Sequence, residues 1–202
     1  MQQAIIKWPF MVLTSISVLG SAAIAPSAFG QGLDFSITED TVKAQVWSEI
    51  PYNDLSWSAE FLHYDDGGID ANILGGGVFV AGRSNASTAR QVAGLGGKLL
   101  IIDAEGGDNG SVIAPGGFVR HTLSQANLVS VRDEIFFAPS IISFQGVENY
   151  LEYSVRAEYQ LLDQANVYLG YRSTEAEVEN ERGGTFDFEF EQGVMAGVAL
   201  RF

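Results

Sequence analysis

The alternation of apolar and polar residues, repeated in one long segment after another, most constrains how this chain folds. Between Glu148 and Gln160, one set of alternate positions includes Leu151 and Val155, whereas the other set is mostly charged or polar. Successive residues of a β-strand point to opposite faces, so this pattern predicts strands with one apolar face and one polar face that contacts water. A soluble sandwich of two sheets produces the same alternation, and the pattern alone leaves the class of β-protein open.

The segment that follows repeats the alternation and predicts a hairpin. A turn centred near Asp163 pairs Tyr159 with Val167 and sets Ser154 opposite Arg172. The same turn predicts three further pairs, which are Ala157 with Leu169, Val155 with Tyr171, and Glu158 with Tyr168.

The C-terminal segment narrows the fold class. Its alternate apolar residues form a stripe that ends on a phenylalanine. This stripe resembles the assembly signal of bacterial outer-membrane barrels. Phe190 stands twelve residues before that phenylalanine and in the same phase, which predicts aromatic girdles at both ends of an apolar band about 25 Å tall. The stripe consists of Val194, Ala196, Val198, Leu200 and Phe202.

The first thirty residues have the layout of a secretory signal peptide. Lys7 precedes a long apolar run, and small residues lead to a predicted cleavage between Gly30 and Gln31. A membrane-anchoring helix is the alternative, because the run is long enough to cross a bilayer. The small residues before the cleavage point favour export. We therefore expect a signal peptide over residues 1–30 and a single outer-membrane domain over residues 31–202.

Ten strands are predicted, and eight is the alternative if neighbouring segments merge. An even number suits an antiparallel up-and-down transmembrane barrel whose two termini face the periplasm. In that topology, the acidic residues of the connections gather on the outward loops. The predicted strands are 33–38, 41–49, 54–64, 74–83, 90–103, 111–122, 127–137, 147–160, 165–178 and 185–202.

Composition excludes several classes of function. The chain has no cysteine, which rules out disulfides, thiolate metal sites and a cysteine nucleophile. Its net charge of −14 argues against a nucleic-acid partner, since phosphate neutralisation needs clustered Lys and Arg. Two histidines leave little material for a metal site. The sequence predicts no cofactor, no metal site and no catalytic residue.

Several motifs together resemble a known family. They are Leu95-Gly96-Gly97-Lys98, Ala138-Pro139-Ser140 followed by Ser143-Phe144, Gly170-Tyr171-Arg172, and the terminal Gly197-Val198-Ala199-Leu200-Arg201-Phe202. In this order they look like YfaZ-type bacterial outer-membrane proteins. The resemblance implies a barrel in the outer membrane of a Gram-negative bacterium. It implies no established activity and no catalytic residues.

The wet strand faces predict a network of polar side chains inside the barrel. A lumen of about ten strands lies near the size that side chains fill, so we expect a plugged structural or surface-interacting barrel. Its expected partners are outer-membrane lipid, lipopolysaccharide bridged by divalent cations to the acidic loops, and the barrel-assembly machinery. A narrow, porin-like channel that prefers cations is the alternative function. The predicted lumen residues are Glu152, Ser154, Arg156, Glu158 and Arg172.

An enzyme that modifies lipids or peptides is a third and weaker hypothesis. It rests on His63 and His121, for which a position at the membrane interface is the simpler interpretation. His121 and Ser124 are three residues apart, so they lie on opposite faces of a strand and cannot share a site there. The glycines before Lys98 lie within a strand pattern, which does not fit a dinucleotide-binding turn.

Overall fold

The computed structural model describes residues 30–50, 54–66, 69–85, 89–104, 109–123, 126–144, 146–179 and 185–202. Ten long strands and one two-residue strand, β8, make up this part of the chain, together with a single 3-10 turn at Ser140–Ile142. No helix in it is long and apolar enough to cross a membrane. The strands are β1 Gln31–Ile37, β2 Thr41–Glu49, β3 Leu55–Asp66, β4 Ile69–Asn85, β5 Ala89–Ala104, β6 Gly110–Leu123, β7 Val129–Ala138, β8 Ser143–Phe144, β9 Val147–Leu162, β10 Ala165–Glu179 and β11 Thr185–Arg201.

The ten long strands form a closed antiparallel barrel. Each pairs with its neighbours in chain order, and the short β8 lies beside β6. The ring closes where β1 pairs with β11, with Gly32 opposite Arg201 and Ile37 opposite Ala196. Closure removes the open sheet edges that would leave backbone groups unpaired in a lipid environment. The predicted fold class is confirmed, with ten barrel strands and not eight.

The predicted hairpin between β9 and β10 has the expected register. Tyr159 lies opposite Val167 and Ser154 lies opposite Arg172. Local alternation and a two-residue turn were sufficient to predict this pairing, because a slip of one residue would turn every apolar side chain to the wrong face. The other three predicted pairs are also present, namely Ala157 with Leu169, Val155 with Tyr171, and Glu158 with Tyr168.

The two faces of each strand differ as the alternation predicts. On β5, the outward Leu95 and Leu99 are 76% and 54% exposed, whereas the inward Lys98 and Leu100 are 2% and 0% exposed. Large apolar side chains are exposed in the same way on the other long strands. An apolar exterior of this extent on a closed barrel is suited to lipid contact.

A β-bulge changes the phase of β11. Thr174 lies opposite Glu191 and Glu175 lies opposite Glu189, so Phe190 is an extra residue in the ladder. Phe190 is fully buried and Glu191 is 3% exposed, which places both side chains inside the barrel. The prediction that Phe190 faces lipid in an outer aromatic girdle was therefore wrong. A bulge adds one residue to one strand and so reverses the alternation beyond it.

The connection between β3 and β4 is shorter than predicted. The two strands stay paired up to Asp66 and Ile69, so β3 ends after the predicted residue 64 and β4 begins before the predicted residue 74. The acidic residues expected in this loop instead lie on the strand ends. Asp65 and Asp70 face each other in the ladder and are exposed.

Candidate functional site

The inward face of the barrel carries the candidate site. Four of the five predicted lumen residues lie on β9 and the fifth, Arg172, lies on β10. Glu152, Glu158 and Arg172 are 2%, 3% and 4% exposed. The structure distributes four of the five among three neighbouring groups of polar side chains that join different strands, whereas Ser154 is buried and lines the small cavity among these groups.

The first group is a square of two lysines and two glutamates, which we call the central cluster. Lys43 on β2 lies 2.7 Å from Glu152 on β9 and 3.3 Å from Glu60 on β3. Lys98 on β5 completes the square, at 2.8 Å from Glu152 and 3.1 Å from Glu60. Each carboxylate thus binds both ammonium groups, and the cluster joins four strands across the lumen.

Neutral side chains complete the coordination of the central cluster. The hydroxyl of Tyr150 donates to Glu152 at 3.2 Å, and the amide of Gln45 donates to Glu60 at 3.1 Å. The ammonium of Lys98 lies 4.0 Å from the centre of the Phe136 ring. Charges buried in this way are retained only when their hydrogen-bonding capacity is satisfied, and these partners supply that capacity.

The second group surrounds Arg172. Its guanidinium binds both carboxylate oxygens of Glu191 on β11, with one of these distances 2.8 Å. It also donates to the hydroxyl of Ser36 at 3.0 Å. A bidentate guanidinium–carboxylate pair has a fixed planar geometry, so Arg172 joins β10 and β11 to β1 close to the point of barrel closure.

The third group lies nearer the end of the barrel where β1 begins and β11 ends, which we call the terminal end. Arg156 bonds Asp34 at 2.8 Å and Glu158 at 2.9 Å, and its guanidinium stacks 4.2 Å from the Tyr168 ring. Arg120 binds the second oxygen of Glu158 at 2.7 Å. These contacts join β1, β6, β9 and β10 below the central cluster.

An apolar layer fills the lumen on the other side of the central cluster. Along β5, the inward residues after Lys98 are Leu100 and Ile102, both fully buried. Facing strands contribute aromatic and aliphatic side chains to the same layer. It consists of Leu62, Ala71, Ile73, Leu100, Ile102, Val112, Ala138, Val147, Tyr150, Ala176, Val178 and Phe190.

A small polar cavity lies among the three groups. Its volume is about 20 Å³, which is room for about one water molecule. Its walls include Asp34, Lys43, Glu152, Arg156 and Arg172. The cavity is far smaller than the few hundred cubic ångströms that an organic ligand occupies, so this part of the lumen has a packed interior.

Sequence reasoning missed three of the four residues of the central cluster and most of the partners of the arginines. Lys43, Glu60 and Lys98 were each visible as a charged residue at an inward position between apolar neighbours. That signal shows that a side chain faces the lumen but does not show which side chains meet there. Lys43 and Glu152 are separated by 109 positions, and only barrel closure brings them together.

The two histidines lie outside these groups, on the outward strand phase. The ring of His63 forms a hydrogen bond of 2.9 Å with the amide oxygen of Asn72. The ring of His121 forms one of 2.9 Å with the amide of Gln91. Within the described ranges, no three or more His, Asp or Glu side chains are arranged to hold a metal ion. Ser124, considered as a partner of His121, lies outside the described residues.

The stripe predicted as an assembly signal lies on the outward face of β11. Val194, Val198 and Phe202 are 67%, 40% and 47% exposed, and Ala196 and Leu200 share their strand phase. At the predicted cleavage point, the backbone of Gly30 and Gln31 enters β1. The carbonyl oxygen of Gly30 accepts a hydrogen bond from Glu49, and that of Gln31 accepts one from Phe202. Residues 1–29 of the predicted signal peptide lie outside the described residues.

The sequence matches the family model described as YfaZ precursor over residues 10–202. The chain belongs to the YfaZ family. This confirms the resemblance drawn from the motifs. Together with the closed barrel and its apolar exterior, membership in this precursor family identifies the YfaZ chain as a signal-peptide-exported protein of the bacterial outer membrane. A comparison with curated proteins found no match.

Solved outer-membrane proteins share the barrel architecture at low sequence identity. The outer-membrane protease OmpT of Escherichia coli is 9% identical, with a TM-score of 0.47, over 86% of this YfaZ chain and 93% of its own. A major outer-membrane protein of Thermus thermophilus is 12% identical, with a TM-score of 0.35, over 87% and 100% of the two chains. An anion-selective porin of Comamonas acidovorans is 12% identical, with a TM-score of 0.31, over 80% of this chain and 49% of its own.

Proposed function

We propose that the protein is a structural or surface-interacting barrel whose own side chains close the lumen. The observation that carries this proposal is the central cluster, in which four charges from four strands pair across the interior. The packed apolar layer lies directly above it. The two features follow one another along the barrel axis, so a solute crossing the lumen has to displace both.

Both obstacles are energetically substantial. Separating a buried ion pair leaves an uncompensated charge and costs about 3–5 kcal/mol. Apolar constrictions exclude water and so oppose ion passage. The acidic outer rim, which suggested a cation-preferring channel, does not extend into the lumen, since Lys43 and Lys98 face Glu60 and Glu152 in equal number there. These features support a closed barrel over the channel alternative.

The exposed end of the barrel supports the surface-interacting part of this proposal. Exposed carboxylates lie at the barrel end opposite the termini, at Glu39, Asp40, Asp65, Asp66 and Asp70. In the predicted topology this end faces outward, where divalent cations bridge carboxylates to the phosphates of lipopolysaccharide. The apolar stripe of β11 is the surface that we propose for recognition by the barrel-assembly machinery.

Planar-bilayer conductance of the refolded protein tests the closed lumen. Folding is verified first by the altered migration of unboiled protein in SDS gels. We expect no unitary current steps from the folded protein. The matched control is Tyr150→Ala combined with Lys98→Ala, which removes one residue from the apolar layer and one from the central cluster and is expected to produce steps.

Unitary steps from the unaltered protein would overturn the proposal, and their reversal potential would assign the selectivity of the channel. Replacement of Arg156 or Arg172 by Gln would then change the step size if these arginines line the conducting path. If neither the unaltered protein nor the control conducts, ion entry is measured with an ion-sensitive dye trapped inside vesicles. Ion entry into vesicles that contain the unaltered protein would likewise refute a closed lumen.

A further inference from the structure

The basic side chains of this acidic protein are turned to the inside of the barrel. Every Lys and Arg in the described ranges occupies an inward strand position. Charged groups on the outward face would be desolvated by lipid, whereas the lumen offers acidic partners and water. The nine residues are Lys43, Arg83, Arg90, Lys98, Arg120, Arg132, Arg156, Arg172 and Arg201.

The terminal half of the lumen, below the central cluster, carries an excess of positive charge. Six of the nine basic residues lie there, which are Arg83, Arg90, Arg120, Arg132, Arg156 and Arg201. Four acidic residues occupy inward strand positions of the same half, which are Asp34, Glu49, Glu134 and Glu158, whereas Asp54 and Asp163 lie exposed in the connections outside the strands at this end. Counted over the inward strand positions alone, the charge of this region is therefore opposite in sign to the net charge of −14 of the whole chain.

The four acidic residues are already engaged. Glu49 binds Arg83 at 2.5 Å, and Glu134 binds Arg132 at the same distance. Asp34 and Glu158 belong to the group around Arg156 described above. The local carboxylates therefore do not neutralise all the arginines.

Arg90 and Arg201 are the two arginines of the terminal half that these carboxylates do not bind. They form no ion pair with any residue that the structure describes, and both are exposed at the mouth of the terminal end. Arg83 and Arg90 both lie within electrostatic range of Arg201, as does Glu49. Deeper in the same half, the Nε atom of Arg120 is buried without a hydrogen-bond partner among the described residues. Guanidinium groups without an ion pair are thus available at the rim, and one unbonded donor atom of Arg120 lies inside it.

We propose that the terminal mouth, defined by Arg83, Arg90 and Arg201, binds an oxyanion carrying phosphate or carboxylate groups. Guanidinium groups match the planar, bidentate geometry of these oxyanions. The low-dielectric barrel wall concentrates the positive field on the opening. Because the central cluster and the apolar layer close the lumen above, the anion enters and leaves by the same end, which faces the periplasm in the predicted topology.

Trp47 is a built-in reporter for this mouth. It lies on the inward face of β2, where a side chain at Gly32 would collide with its ring, and Gly32 is the residue opposite Arg201. Trp57 is 42% exposed on the outward face. In a Trp57→Phe variant, Trp47 is the only tryptophan of the predicted mature chain.

The test is a fluorescence titration of the Trp57→Phe protein, extracted from outer membranes into a nonionic detergent. Inorganic phosphate and succinate are added separately at constant ionic strength, which distinguishes phosphate from carboxylate recognition. We expect a saturable change in Trp47 emission with at least one of them. Replacing Arg90 and Arg201 by Gln should weaken that binding by about tenfold or more, because both changes remove a guanidinium that would form charge-assisted hydrogen bonds with the oxyanion.

The matched control is Glu39→Gln combined with Asp40→Asn, which also changes two charges but lies in the exposed β1–β2 turn at the end of the barrel opposite the terminal mouth. Its affinity should equal that of the starting protein. The proposal fails if chloride produces the same titration as phosphate and succinate, since that result shows only general screening. It fails equally if Arg90→Gln/Arg201→Gln binds as the control does, or if no titration saturates while the protein remains folded by gel migration.

Discussion

Removal of Lys98 should be among the most destabilising single changes in the lumen. Its ammonium lies 2.8 Å from Glu152 and 3.1 Å from Glu60, and the three side chains are only 2%, 3% and 4% exposed. In Lys98→Met, the side chain keeps most of its volume, but Lys43 alone then faces two buried carboxylates. Breaking a buried ion pair by removing one partner costs about 3–5 kcal/mol, so we expect the free energy of unfolding to fall by that amount.

The assay is urea unfolding of the protein in lipid vesicles, followed by tryptophan fluorescence. Arg83→Met is the matched control, because the Arg83–Glu49 pair is as close, at 2.5 Å, but its side chains are 65% and 45% exposed. Exposed pairs contribute about 0–1 kcal/mol, so this variant should unfold almost as the unaltered protein does.

A second substitution tests the cause of the destabilisation. Adding Glu152→Gln to Lys98→Met removes the excess negative charge, so the double variant should be more stable than the sum of the two single losses predicts. The reasoning is refuted if Lys98→Met and Arg83→Met lose the same free energy. Strict additivity of the two changes would show that the loss does not come from the ion pair of Lys98 with Glu152, and would point instead to the contact of the ammonium with the Phe136 ring.

Three further predictions concern assembly and processing. Deletion of Phe202, which ends the exposed stripe of β11, should lower the amount of heat-modifiable protein in outer membranes several-fold, and an unchanged amount would exclude a role in assembly. Gly96→Ala should impair folding, because the added methyl group overlaps the backbone carbonyl of Val78. The methyl group of Gly82→Ala meets no atom within 4 Å, so that variant should fold normally. Similar gel migration of the two variants would contradict this prediction. Protein purified from outer membranes should begin at Gln31 by N-terminal sequencing, and any other first residue would correct the predicted cleavage point.

The strands and their two faces were predictable because they follow from local rules. Alternation with period two shows which side chains share a face, and a short turn then aligns the two strands that it joins, as for Tyr159 and Val167. The inward direction of Arg156 and Arg172 was visible for the same reason. Where a local irregularity interrupts the period, this reasoning fails, and the bulge at Phe190 moved that ring from the expected lipid face to the core.

The sequence by itself therefore determined an exported β-barrel with an apolar exterior and a charged interior. Only the tertiary structure decided which interior charges meet. The central cluster takes Lys43, Glu60, Lys98 and Glu152 from β2, β3, β5 and β9, and their meeting depends on the register summed around the closed ring. The same closure leaves Arg90 and Arg201 at the terminal mouth without an ion pair among the described residues. No pattern along the chain carries that information, because the contacts join positions that are far apart in sequence and are aligned only when β1 pairs with β11.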